Sequence, residues 1–484
     1  MRCTNAHSHL CFLRSKTSAS CLSRRWRLGR RWLSQTSAAP LRASRSRKAV
    51  QQLTIHPLRA GERPSKRRYP SIVRASPLER LSSPQLTSDN SYKHGYSARS
   101  HAAHLPMTIT GRATRMSDTE RHVHSPRVVF VDHSGLPGGG QLGLARYLTK
   151  TRLINVHLIL LSPGGAFDVV QKERGFPVEV LNDRDDDKSL LATRSNLKRR
   201  LTSLRPDIVI ANSNKSALIL ATLSKRLATR IYYMRDDLNP ARKSAIKRIV
   251  LGQWMMRRYD VVISNSRWTA STIPVRKIRE SARIAYPVSG IPNAQISSGR
   301  ATHLPLRILS LSRIARWKGI HVLLEAARIL EHRGLGDKII LTIAGTSTHE
   351  DPEYEKEIWA IAKNLRTSIT FTGHVDNPQA LLATHDLLVA CSTSPEPFGQ
   401  VVVQGLSEGL IVIASNEGGP VEVITNGVNG FLIPPEDSDR LADLLEKLLL
   451  DTLLREQVAG AATLSAARYA DAVTVQELDD MIDP

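Results

Sequence analysis

From residue 127 onward the apolar positions fall into short continuous runs separated by stretches with helical periodicity. The runs 128–131, 156–161, 178–181, 207–212, 230–234 and 261–264 read as strands. They are predominantly apolar, as expected of parallel strands covered on both faces. Helical patterns at 141–148, 194–204 and 241–258 lie between them. A connection rich in Gly, Pro and Ser spans 287–305, and a second series of strands follows at 307–311, 339–344, 369–371, 386–390, 411–414 and 431–433, with a last helical stretch over 437–464. Strand and helix alternate in both halves. The pattern predicts an α/β chain with two Rossmann-like domains, 127–290 and 304–470, facing each other across a cleft.

The densest information lies at 391–436. There a strand ends in Glu396-Pro397-Phe398-Gly399 before a helix, and the next strand ends in Glu417-Gly418-Gly419-Pro420 before another. Two strand-to-helix turns at one sheet edge offer free helix N-terminal N–H groups, which suit an anionic ligand. Glu396 and Gln404 are acceptors suited to hydroxyls, so a sugar nucleotide fits this stretch. Arg313 and Lys318 flank the turn after an earlier strand and can reach the same edge. In the first half, the strand at 128–131 runs into His133 and the glycine cluster Gly138, Gly139 and Gly140. That cluster is equally explained by tight packing of the turn.

Composition changes this picture mainly at the N-terminus. The 484 residues carry a formal net charge of +24, but the first 120 hold 23 Lys or Arg against five Asp or Glu. The remainder has an ordinary balance, so the basic character belongs to the extension, and we expect no nucleic-acid partner for the folded part. Residues 1–120 form a basic low-complexity extension expected to be disordered. Three readings of it stay open: an organellar transit peptide, a basic arm for nucleic acid or anionic lipid, or upstream sequence preceding a start at Met107 or Met116. Three of the four cysteines (Cys3, Cys11, Cys21) fall in the extension and one (Cys391) in the folded part, giving no disulfide framework or metal-ligand spacing. A reducing, cytoplasmic setting is expected, with any membrane contact peripheral on the inner face, because no apolar run reaches the length of a spanning helix.

The segments SRIARWKG, IAGTSTHEDPEYEKEI, FTGHVDN and SPEPFGQVVVQGLSEGLIVIASNEGGPVEVITNGVNGFLIPPED resemble the donor-binding half of glycosyltransferase family 4, retaining enzymes of the GT-B fold. VVFVDHSGLPGGGQLGLARYL and VVISNSRWTA are similar to the family's opening unit and late N-domain strand. The resemblance covers roughly 127–465. It implies that Arg313 and Lys318 neutralise a donor diphosphate, that Glu396 meets the transferred sugar, and that Phe398 and Gly399 shape the turn. Gly418 and Gly419 would present backbone N–H groups, while Gly138, Gly139 and Gly140 close from the opposite domain. The family pattern places a second carboxylate at the ribose, where this chain has Gln404. In the loop after the fourth N-domain strand, where many members place a His, this chain has Arg235 and Asp236, either of which would have to do that work; both are candidate sugar or acceptor contacts together with His133. The implied function is transfer from a nucleotide sugar, as co-substrate, to a saccharide or lipid-linked acceptor in cell-surface polysaccharide or glycoconjugate synthesis. It proceeds with retention, and no metal or further cofactor is implied. A degenerate family member serving as a carbohydrate-binding or scaffold protein is the alternative.

Two features point elsewhere. The run 182–187 contains an Asp-x-Asp pattern used by metal-dependent transferases, and is read here as a solvated loop. The basic amphipathic stretch 243–258 is either a membrane-surface helix or an ordinary helix packing Ile246, Ile249, Val250 and Met256 on the sheet. The second reading is preferred because a strand follows directly.

Overall fold

The computed structural model describes residues 125–182, 189–239, 244–292, 303–347 and 351–483, so the basic extension and the aspartates at 183–187 lie outside the described residues. The first half contains β1 (Val128–Asp132), β2 (Val156–Leu160), β3 (Val178–Val180), β4 (Ile208–Ala211), β5 (Thr229–Met234), β6 (Val261–Ser264) and β7 (Arg283–Ile284). They form one parallel sheet in the order β3-β2-β1-β4-β5-β6-β7. The second half contains β8 (Leu306–Leu311), β9 (Ile339–Ala344), β10 (Ser368–Gly373), β11 (Leu387–Ala390), β12 (Ile411–Ser415) and β13 (Phe431–Ile433). Its parallel order is β10-β9-β8-β11-β12-β13. This is the two-domain GT-B architecture. In each sheet the chain starts at the centre, winds outward, then reverses, which leaves a crevice beyond the carboxyl ends of β1/β4 and β8/β11.

The continuous apolarity of the strands follows from helices on both faces. Val128 and Phe130 pack with Leu144, Tyr147 and Leu148 of the helix Gly139–Lys150. Val129 and Val131 point the other way, onto Leu197, Leu201 and Leu220. The two-residue strand β7 is too short for its own apolar run and is held by pairing to β6.

The C-terminal helix Asp471–Ile482 leaves the second half and returns to the first, where Val475, Leu478 and Ile482 enter the core beside Leu144 and Leu148. Asp479 accepts from Tyr147 Oη at 2.5 Å and from the Arg152 amide at 3.0 Å. Asp471 accepts from the amides of Gly290 and Ile291, both at 2.9 Å. The connection between the halves is thus clasped by the chain's own end.

The helix before β6 departs from the expectation. Ile246, Ile249 and Val250 are exposed, whereas Met255 and Met256 are buried. A π-helical segment, Ile249–Met255, supplies the reason: its wider turn rotates the following residues, so the methionines face the sheet and the earlier apolar positions face outward. No helix among the described residues is long and apolar enough to cross a membrane.

Candidate active site

Helix N-termini differ across the molecule in how they are capped. Ser189, Ser213, Ser266, Asp351, Asn377, Asp437 and Asp451 each satisfy an N-terminal amide of their helix with a side-chain oxygen. The helices that follow the central strands β1, β8 and β11 instead start at glycines: Gly138, Gly319 and Gly399, with no side-chain cap. Their first-turn N–H groups and the positive helix ends therefore face the crevice. Tyr354 Oη takes one of them, the His321 amide, at 3.2 Å.

Between the N-termini of the second half sits an ion pair. Lys318 Nζ lies 2.6 Å from Glu396 Oε2, with the two side chains only 14% and 20% exposed, and Ser392 Oγ donates to the same oxygen at 3.2 Å. The Lys318 ammonium also rests 4.1 Å from the centroid of the Trp317 ring. Ser310, Ser312, Ser392, Gly399, Ser415 and Glu417 complete the hollow around the pair. A cation, two carboxylates and four hydroxyls thus converge in one recess.

The turn carrying Glu396 is locked by backbone-on-backbone contact. Gly419 N donates to Glu396 O at 2.7 Å, and a Cβ on Gly419 would lie 2.3 Å from Phe398 Cα. Gly418, at φ +84°, abuts the Glu396 backbone equally closely. No side chain larger than hydrogen fits at either position, which explains the paired glycines. Behind the turn, Phe398 is buried among Tyr286 and Tyr469, with ring centroids 5.4 and 5.9 Å away. Phe398 anchors the turn and does not line the recess.

Two other expected residues are placed apart from the pair. Arg313 is exposed just beyond the end of β8, outside the lining. Gln404 is buried, and its Nε2 donates to Ser289 O in the interdomain connection at 2.6 Å. The structure therefore uses Gln404 to bind the connection to the helix Gln400–Ser407.

The first half builds its side from strand ends. Asp132, buried at the end of β1, accepts from Gln141 Nε2 at 2.9 Å, from the Ser134 amide at 3.3 Å and from Asn212 Nδ2. His133 Nδ1 lies 2.9 Å from the Asp132 carboxylate. Burial raises the Asp132 carboxyl, but these neighbours, His133 and Asn212 foremost, outweigh it and hold the group below its ordinary value. Asn212 Oδ1 in turn accepts from Arg235 Nε at 2.5 Å, and the Arg235 guanidinium lies 4.0 Å from the Tyr233 ring centroid. Burial pulls Arg235 below its ordinary range. Asp236 accepts from Asn214 Nδ2 at 3.1 Å. His133 remains half-exposed at this edge.

Apart from Gly139, the halves touch through residues to which the sequence motifs gave no role. Gln400 Nε2 donates to Gly139 O at 2.7 Å, while its Oε1 accepts from Arg146 Nη1 at 3.1 Å, so the glycine turn Gly138–Gly140 faces the start of the helix Gln400–Ser407. Glu422 accepts from the Arg267 and Trp268 amides at 3.0 and 2.6 Å, capping a helix of the other domain. Ser266 Oγ donates to Pro397 O at 2.6 Å. No local signal marks these positions, because each partner is more than a hundred residues away.

The fold is a two-domain GT-B arrangement with this recess beyond the central strands of its second sheet, and comparison with known proteins identifies the family. The family described as glycosyl transferases group 1 matches residues 297–464, and that described as glycosyltransferase family 4 matches residues 142–285. The chain belongs to this group 1, or family 4, glycosyltransferase family. It is 31% identical over 166 residues to the alpha-D-kanosaminyltransferase of Streptomyces kanamyceticus, covering 34% of this chain and 42% of that one. It is 25% identical over 251 residues to the lipopolysaccharide core biosynthesis glycosyltransferase LpsE of Rhizobium meliloti, covering 49% of this chain and 70% of that one. The alignment thus spans less than half of the first relative's length. Among solved structures, Anabaena HepE in complex with UDP and glucose superposes with a TM-score of 0.64 at 26% identity, covering 74% of this chain and 99% of that one.

Proposed function

We propose that this chain transfers a sugar from a nucleotide-sugar donor to a saccharide or lipid-linked acceptor, in synthesis of a cell-surface polysaccharide or glycoconjugate. The observation that carries the reading is the Lys318–Glu396 pair, set among glycine-capped helix N-termini beyond the central strands. On donor binding, Lys318 exchanges Glu396 for the diphosphate, and Glu396 is released toward the sugar hydroxyls. Arg313, exposed at the same edge, adds a second cation. Fixed amides and cations stabilise the charge that builds on the departing diphosphate. The likeness to HepE, whose structure holds UDP and glucose, supports a uridine diphosphate sugar as the first donor to test.

Transfer proceeds with retention and needs neither a metal nor a further cofactor. The bond from the anomeric carbon to the diphosphate breaks as the acceptor oxygen adds to the same face. The departing phosphate oxygen takes the acceptor's proton, so no separate base is required. In this reading Lys318, joined by Arg313 when the donor binds, takes the place of a divalent cation in offsetting the diphosphate. A thermal-shift panel of sugar nucleotides tests the donor, with stabilisation expected for one nucleotide class only. Product anomeric configuration by NMR tests retention, and undiminished turnover in EDTA tests metal independence. Gln404, committed to Ser289, favours one other reading, a degenerate carbohydrate-binding member of the family. Turnover of any sugar nucleotide rejects it.

A further inference from the structure

Two of the glycine-started helices meet at their first residues. Gln400 opens the helix Gln400–Ser407 and Gly139 opens the helix Gly139–Lys150, and Gln400 Nε2 donates to Gly139 O at 2.7 Å. The other end of the amide, Oε1, accepts from Arg146 Nη1 at 3.1 Å. Bare backbone makes the floor for it: a Cβ on Gly139 or Gly143, one helical turn apart, would stand 3.4 or 3.6 Å from Nε2. Arg146 is wedged in turn against the interdomain connection, where a Cβ on Gly290 would come within 3.1 Å of its Nε. One side chain thus ties the turn of Glu396 to the glycine turn of the other half.

The chemistry explains why an amide stands there. Two positive helix ends brought together repel one another, and Arg146 adds a cation beside them, so the juxtaposition costs free energy until an anion arrives. Glutamine both donates and accepts, which lets it satisfy a carbonyl and a guanidinium at once without neutralising the helix ends. A carboxylate at this position would itself occupy the positive ends, and an alkyl side chain would hold neither partner. Gln404, one turn further along the same helix, donates to Ser289 O at 2.6 Å, so the helix is anchored to the connection as well as to the glycine turn. The N–H groups of both first turns are left without a side-chain cap.

We infer that Gln400 is a positioning residue for sugar transfer: its side chain sets the separation at which the amides of both helices reach one diphosphate. The inference rests on the proposed transfer from a nucleotide sugar and adds the group that aligns the two halves on that substrate. The Gln400 side chain touches no reacting atom in this role and acts through the backbone of Gly139 and the guanidinium of Arg146. Binding of the nucleotide needs the second half alone, where Lys318 lies, whereas transfer needs both halves in register. Affinity and turnover therefore separate at this residue.

The test uses the full chain, with kcat measured for consumption of the sugar nucleotide that the thermal-shift panel selects, and calorimetry with the nucleoside diphosphate of that donor. Gln400→Ala is expected to lower kcat about tenfold or more, since small misplacements of reacting groups carry losses of that order, while leaving nucleoside diphosphate affinity at the wild-type level. Arg146→Ala, which removes the same bridge from its other side, should give the same split, and the double variant should lose no more than the larger single loss. Gln400→Glu should instead weaken nucleoside diphosphate binding about fivefold or more, because its carboxylate competes for the helix ends. A residue that only stabilised the interface would lower the urea midpoint and leave kcat of the folded chain at the wild-type value. A Gln400→Ala variant whose loss of affinity equals its loss of kcat overturns the inference. Wild-type chain that turns over no sugar nucleotide defeats the transfer reading and this role together, whereas normal wild-type turnover beside an unimpaired Gln400→Ala defeats the role alone.

Discussion

The two halves of the cleft are built in different ways from the same fold. In the second half, the recess comes from short local segments: a lysine after β8, a serine and a glutamate after β11, and glycines that let two turns touch. In the first half, Asp132, Asn212 and Arg235 arrive from the ends of β1, β4 and β5, and make one buried network across the sheet. The second half leaves its charged groups partly solvated and exchangeable, whereas the first consumes them internally. On the proposed function, the contrast puts donor chemistry in the second half and rigid positioning in the first.

The largest effect should come from Glu396→Ala, which is expected to lower turnover roughly 10²–10³-fold. Its melting temperature should stay near wild type, because Glu396 is a partly solvated group with exchangeable partners. Product formation against a matched unfolding curve checks both halves of that statement, and unchanged turnover would remove the second half from the chemistry. Next, Gly419→Ala should cost about 3 kcal/mol, since the new Cβ meets fixed Phe398 backbone. Gly138→Ala should cost less, about 1 kcal/mol, because its Cβ meets only the Gln141 side-chain oxygen, which can give way more readily than backbone. Urea midpoints measure the pair, and equal losses would erase the distinction between locked and open turns.

Asp132→Ala should destabilise by about 2 kcal/mol, leaving the buried Asn212 and Gln141 amides without their acceptor. Loss of turnover with stability intact would instead make the first half chemical. The smallest effect concerns pH. Burial holds His157, His321 and His385 below their ordinary pKa, so they are neutral in the fold and bind protons on unfolding as pH falls through about 6.5. Stability is therefore full above that pH and declines below it. Two of these histidines lie in the second half, so His321→Gln with His385→Gln should flatten the acid decline more than His157→Gln.

The same contrast explains what the sequence disclosed. Twelve of the strands appear as apolar runs, most of them because burial on both faces writes the strand into consecutive residues, while the edge strands β3 and β10 are only partly buried. Strand β7, with two residues, has no such signature. Lys318, Glu396 and the glycine pair at 418–419 are legible because their spacing is local to two turns. Gln404 reads as a ligand from its place in that motif, yet its side chain answers to Ser289, a partner 115 positions away. The outward face of Ile246, Ile249 and Val250 was hidden because a π-helical turn breaks the 3.6-residue period on which the wheel depends. Glu422, Gln400 and Ser266 act wholly across the domain boundary, and nothing in their neighbourhoods announces it.

Calorimetric titration of UDP into wild type, Lys318→Ala and Arg235→Ala tests the division of labour most directly. Loss of the Lys318 cation should weaken UDP binding by about tenfold or more, equivalent to about 1.4 kcal/mol. Loss of Arg235 should leave UDP affinity nearly unchanged. Unaltered affinity in Lys318→Ala together with a large loss in Arg235→Ala would contradict the assignment of the donor to the second half.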